Sequence, residues 1–186
     1  GERKRVLDKL YLTLKKAIIT GVILPLEKID EYQLSETLCI SRSSIRDAIK
    51  ILYMEGYITL DEKKGYIINK ATLNDIIEIH EFLTFLSISA IEAMAMNYDN
   101  YSLVLNESLD NFDNKSSNNM DKQFHMTMAI CTRNDYIISA TEDTFDKLFW
   151  GKKVLNLKQT GVDILKEHKK IIECITSRNT DMDTLK

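Results

Sequence analysis

Leu7, Leu10, Leu14 and Ile18 fall on one helical stripe and Gly21 stops the run, so a helix over residues 6–20 is expected. Residues 30–38 read as a second, short helix with Asp30 as N-cap, Gln33 three residues on, and Leu34 and Leu38 facing inward. Cys39 and Ile40 separate it from a third helix that Ser41 caps and Gly56 closes, with Ile45, Ala48, Ile49 and Leu52 as its buried stripe. The period then changes. Tyr57–Leu60 and Tyr66–Asn69 are β-favouring runs on either side of Asp61-Glu-Lys-Lys-Gly65, which predicts a hairpin.

A boundary is expected at residues 70–75, where Thr72 can cap a new helix with Asp75 at its third position. Beyond it only helical periodicity appears, over residues 73–97, about 101–112, 120–131, 136–149 and 162–178. Residues 111–119 read as an Asn/Ser-rich loop, and the only proline is Pro25. The expected fold class is therefore mainly α. Residues 1–70 would form a winged helix-turn-helix with a small β-hairpin wing, and residues 71–186 an all-α bundle of five or six helices.

The third helix carries chemistry at its start. Ser41, Arg42, Ser43, Ser44 and Arg46 occupy a first turn without large apolar residues, and Arg42, Ser43 and Arg46 leave the buried stripe. Backbone amides and the helix dipole favour a phosphate there, and a guanidinium can reach O6 and N7 of guanine in the major groove. A solvated helix start would explain one Ser-Arg pair alone. The helix-turn-helix before it and the Lys63-Lys64-Gly65 turn after it favour the DNA-reading alternative.

Composition fits this reading. The net charge of −3 divides unevenly: residues 1–70 hold 13 Lys and Arg against 10 Asp and Glu, residues 71–186 hold 12 against 18. A modestly basic module joined to an acidic one suits a DNA reader carrying a sensor. No apolar run reaches membrane-spanning length and no signal peptide is legible, so a cytoplasmic protein is expected. Cys39, Cys131 and Cys174 are odd in number and far apart, which suggests reduced core thiols. Trp150, Phe82, Phe85, Phe124, Phe145 and Phe149 have the spacing of core or cavity lining.

Residues 6–70 resemble the DNA-binding domain of the GntR family of bacterial transcription regulators. The matching text runs through Gly21-Val-Ile-Leu-Pro25, Ile29-Asp-Glu-Tyr-Gln-Leu34, Ser41-Arg-Ser-Ser-Ile-Arg46-Asp-Ala-Ile49, Leu52, Glu55-Gly56 and Lys64-Gly65-Tyr-Ile-Ile68. Two departures stand out: Leu26 replaces the glycine usual after the proline, and Tyr32 stands where some members carry a phosphate-contacting arginine.

Asp121 and His125 are one turn apart on a helix face, with Phe124 and Met128 directed to the core. Spacing alone favours a surface carboxylate–imidazole pair and an unrelated His168. Asp121-Lys-Gln-Phe-His125, Asn134 and Glu167-His168-Lys-Lys-Ile-Ile172, however, resemble the FCD ligand-binding domain of FadR-type GntR regulators. The resemblance implies a divalent metal (Zn, Ni, Mn or Fe) held by Asp121, His125 and His168, and a small organic acid as effector. A fourth family ligand, a histidine on the last helix, would fall past Lys186, and the family's effector-pairing arginine aligns with Leu83. His80 is expected to be a partly exposed helix residue.

Two histidines and an aspartate also occur in metal-dependent enzymes, so an enzyme with a vestigial winged helix is one alternative. A constitutive dimeric DNA-binding protein without effector is another. No phosphate loop, Gly-x-Ser-x-Gly elbow or His-Glu-x-x-His is present, and no catalytic residue is assigned. The expectation is a homodimeric regulator that binds an inverted-repeat operator in double-stranded DNA and responds to a small molecule.

Overall fold

The computed structural model describes residues 2–96, 104, 107, 117–157, 166, 168–173 and 175. Within these, the helix expected over residues 162–178 is helical at 166, 168–173 and 175 and that over 101–112 at 104 and 107, and the rest of both, with Cys174, lies outside the described residues. The chain divides into two compact units: Gly1–Ile76 with Lys147–Lys158, and Ile77–Asp146 with Gln159–Lys186.

In the first unit, helix α1 (Glu2–Ile19) buries Leu10, Leu14 and Ile18 and ends where the Gly21 amide, at φ 74°, donates to the Ile18 carbonyl. Helix α2 (Glu31–Leu38) starts at Asp30, whose Oδ1 accepts the amides of Tyr32 and Gln33. Helix α3 (Arg42–Met54) contributes Ile45, Ala48, Ile49 and Leu52, all at 0 % exposure, so the stripe read from periodicity is the centre of this core. Strands β1 (Ile58–Asp61) and β2 (Gly65–Ile68) pair antiparallel with Ile58 opposite Ile68.

Three details depart from the local pattern. Leu38 and Cys39 are exposed, whereas the pattern placed both inside. The eight-residue α2 packs inward through Leu34, and Cys39 then adopts a left-handed C-cap, φ 52°, that turns the chain toward α3 with its thiol outward. Residues 26–29 also run beside β2, since Leu26 N donates to Ile68 O, Ile68 N to Glu27 O and Ile29 N to Tyr66 O. This third pairing is non-local and has no alternation to announce it.

The same core includes Trp150, whose ring meets Tyr57 edge-on at 5.5 Å. Trp150 belongs to helix α6 (Asp135–Val154), which runs past the expected end at Phe149. It passes through Gly151, where a Cβ would lie 2.5 Å from Ile76 Cδ1, so a larger residue there would make the Ile76 side chain move.

Helix α4 (Leu73–Ala95) opens with a reciprocal capping box: the Thr72 amide donates to Asp75 Oδ2 and the Asp75 amide to Thr72 Oγ1. Its buried positions are Ile76, Leu83, Ala90, Met94 and Ala95, so Phe82 and Phe85 fall off the stripe and are exposed rather than lining a core. Helix α5 (Ser117–Cys131) begins inside the stretch expected to be a loop; its first turn is polar, and apolar anchoring starts at Met120. The second unit's core gathers Ala90, Met94, Met120, Phe124, Met128, Cys131, Ile172 and Ile175.

Candidate nucleic-acid interface and metal centre

At the start of α3, Ser41 Oγ accepts the Ser44 amide at 3.3 Å and lies 3.1 Å from Ser43 Oγ and 2.9 Å from Ser44 Oγ. Ser44 is buried against Ser41 and shapes the turn, while Ser41, Arg42, Ser43 and Arg46 are exposed. Arg46 pairs with Glu31 of α2: Nη2 is 2.8 Å and Nε 3.1 Å from Oε2. This hydrogen bond and the Glu31 charge push the guanidinium pKa above its ordinary value. Sequence reasoning did not single out Glu31, although it occupies the acidic position of the quoted motif.

In the hairpin turn, Asp61 Oδ1 accepts the amides of Lys64 and Lys63 at 2.8 and 2.9 Å, which holds its carboxyl pKa below the ordinary value. Gly65 supplies the positive φ, 77°, that closes the turn, and the side chains of Lys63 and Lys64 are exposed. Tyr32 is exposed, and Leu26 has φ 64° where a glycine would carry no strain.

The second unit brings together Asp121 and His125 of α5 with His168, which lies in helical backbone. Asp121 Oδ1 is 3.4 Å from His125 Nε2 and 3.3 Å from His168 Nε2. One ligand atom from each residue lies within 4.8 Å of the others. The two imidazoles are 15 % and 3 % exposed, so water shields them poorly from the carboxylate. His168 stacks on Phe124 with centroids 3.9 Å apart, and His125 is flanked by Phe145 at 5.5 Å. Burial raises the Asp121 pKa, but hydrogen bonds from His125 and His168 outweigh it and hold the carboxyl well below the usual range.

Two nitrogens and a carboxylate oxygen suit a divalent transition metal. Donors bound at about 2.1 Å around one ion stand roughly 3.0 to 3.5 Å apart, and both carboxylate–imidazole separations meet this. The residues fit the ion in donor type and in spacing about the carboxylate, and the two imidazoles, within the 4.8 Å spread of the set, complete it. His80 is an exposed residue of α4, and Leu83 is buried. Asn134 caps α6, its Oδ1 accepting the Tyr136 amide at 3.0 Å. No helix among the described residues is long and apolar enough to cross a membrane.

A helix-turn-helix with a two-stranded wing, followed by a helical unit, defines a regulator that reads DNA. Residues 7–68 match the model of "Bacterial regulatory proteins, gntR family" and residues 100–182 that of the FCD domain. The chain belongs to the GntR family and is a transcriptional regulator with an FCD domain, not an enzyme. It is 27 % identical over 182 residues to the uncharacterized HTH-type transcriptional regulator YdhC of Bacillus subtilis (strain 168), spanning 92 % of this chain and 81 % of that one. The Nta operon transcriptional regulator of Aminobacter aminovorans is 26 % identical over 135 residues, 69 % of this chain and 64 % of the relative. E. coli McbR/YncC shares the fold, with a TM-score of 0.65 at 13 % identity over 94 % of this chain and 86 % of that one.

Proposed function

We propose that this regulator binds its operator as a homodimer and that a metal-held small molecule in the FCD domain tunes the affinity. The start of α3 enters the major groove, where Arg42 and Arg46 read base edges and Ser41 and Ser43 meet phosphate. Lys63, Lys64 and Gly65 follow the backbone beside it. Two-fold symmetry pairs the two α3 helices with an inverted repeat.

In the second unit, Asp121, His125 and His168 hold one divalent ion (Zn, Ni, Mn or Fe). The ion supplies a Lewis-acidic position for an oxygen donor of a small organic acid. Leu83 offers no charge for the acid's far end. Binding changes operator affinity to the extent that the effector prefers one arrangement of the dimer over the other.

The observation that carries this reading is the meeting of three donor atoms within 4.8 Å. Its test is metal content. Full-chain protein equilibrated with each of the four ions and dialysed is expected to retain about one ion per protomer by the ligand-set argument, and the His125→Ala and His168→Ala variants almost none. Wild-type protein that retains none of the four ions overturns the metal site. Operator affinity with and without ion and candidate organic acids, on a duplex selected from random sequence, then reads the coupling.

A further inference from the structure

Ser87 of α4 stands behind His125, on the side away from Asp121. Its hydroxyl has a single hydrogen, and that hydrogen is directed to the Leu83 carbonyl 2.8 Å away. Ser87 Oγ also lies 2.9 Å from His125 Nδ1. When Nε2, the atom 3.4 Å from Asp121 Oδ1, gives its lone pair to a cation, the ring's remaining hydrogen is on Nδ1. Ser87 Oγ, with its own hydrogen on the Leu83 carbonyl, is placed to accept it. Without a cation the Asp121 carboxylate accepts from Nε2–H instead.

We infer that Ser87 is the positioning residue of the metal centre: by accepting from Nδ1–H it fixes His125 in the tautomer that presents Nε2 to a divalent cation. The Ser87–Leu83 hydrogen bond, one helical turn long, orients the acceptor and gives it a rigid base on α4. A hydrogen-bonded outer partner of a ligating histidine sets ring orientation and basicity, and its loss typically costs roughly 10- to 100-fold in metal affinity. Ser87 lies more than thirty positions from the ligand motif and carries no charge, so no sequence pattern marks it.

The inference rests on the metal reading above, and two separate readouts keep the two distinguishable. Zinc uptake by the wild-type full chain reads the metal site itself, and the change in zinc affinity on removing the Ser87 hydroxyl, with its return in Ser87→Thr, which keeps the hydroxyl, reads the positioning role. Zinc affinity, read by competition with a chromophoric chelator, is expected to fall at least about tenfold in Ser87→Ala and to recover in Ser87→Thr. Wild-type protein that takes up no zinc sinks the metal reading and, with it, this role for Ser87. Wild-type protein that binds zinc, with a Ser87→Ala variant of unchanged affinity, leaves the metal site standing and overturns the inference.

Discussion

Arg46 of α3 is held by Glu31 at the start of the preceding helix, with Nη2 and Nε both directed to Oε2 at 2.8 and 3.1 Å. The pair lies on the surface, so it adds little to stability. Its weight is geometric, because a long flexible side chain aimed at a base edge loses less freedom on docking if it is already restrained.

In the docking proposed above, Arg46→Ala therefore costs about 1 to 3 kcal/mol of operator binding and relaxes preference at one position of each half-site. Glu31→Gln keeps the arginine but loosens it and removes a negative charge near the DNA. Anisotropy titrations on operator and scrambled duplexes are expected to show a smaller ratio of specific to non-specific affinity. An unchanged ratio in both variants would place the pair outside the interface.

Lys63 and Lys64 are flexible point charges on a turn whose amides are tied down by Asp61. Neutralising either is expected to weaken operator and scrambled DNA alike. The slope of log K against log[salt] should become shallower by about 0.9 for each phosphate that a protomer no longer neutralises. A wild-type slope would put that lysine off the backbone.

Leu26 pays for a left-handed backbone, φ 64°, with half of its side chain exposed. A non-glycine residue in that region costs roughly 1 to 2 kcal/mol, part of which glycine returns through its freer unfolded chain. Leu26→Gly is expected to stabilise the first unit by about 0.5 to 1 kcal/mol, seen as a higher urea midpoint at unchanged slope. Destabilisation would mean that Leu26 contributes more by packing than its exposure implies.

Stability at high pH should depend on Tyr11 and Lys15. Burial and the 2.6 Å hydrogen bond to Glu55 push the Tyr11 hydroxyl up to about 12. Burial opposes the charge on Lys15, but Tyr11, Tyr57 and Glu55 outweigh it and raise its ammonium pKa above the ordinary value. The folded chain thus holds both protons more tightly than the unfolded one. The Tyr11 contribution is complete below pH 10 and is lost as pH climbs through about 12, while that of Lys15 persists to higher pH. Equilibrium unfolding between pH 9 and 12 checks this, and Tyr11→Phe, which has no proton to lose there, should flatten part of the decline.

The elements of the first unit were legible because their signals are local. The α3 stripe, the Asp30 and Ser41 caps, the Thr72–Asp75 capping box and the Gly21, Gly56 and Gly65 turns each involve residues a few positions apart. Family likeness carried the three ligand candidates, and Leu26, in place of the usual glycine, keeps a positive φ rather than loosening the turn. What the pattern misjudged lay at element ends and on helix faces: Leu38, Cys39, Phe82, Phe85 and the start of α5. There a neighbouring element, not the period, decides which side is covered.

The amino-acid sequence by itself determined the hairpin and the described helices, apart from their ends, and nominated the residues proposed to touch DNA, since backbone preference and apolar period act over one or two turns. Only the tertiary structure decided that residues 26–29 pair with β2, that Trp150 packs on Tyr57, that Glu31 holds Arg46, and that Ser87 and His168 approach α5. Each of these joins residues brought together by packing, and the energy of such an interaction appears only once the intervening chain has been ordered.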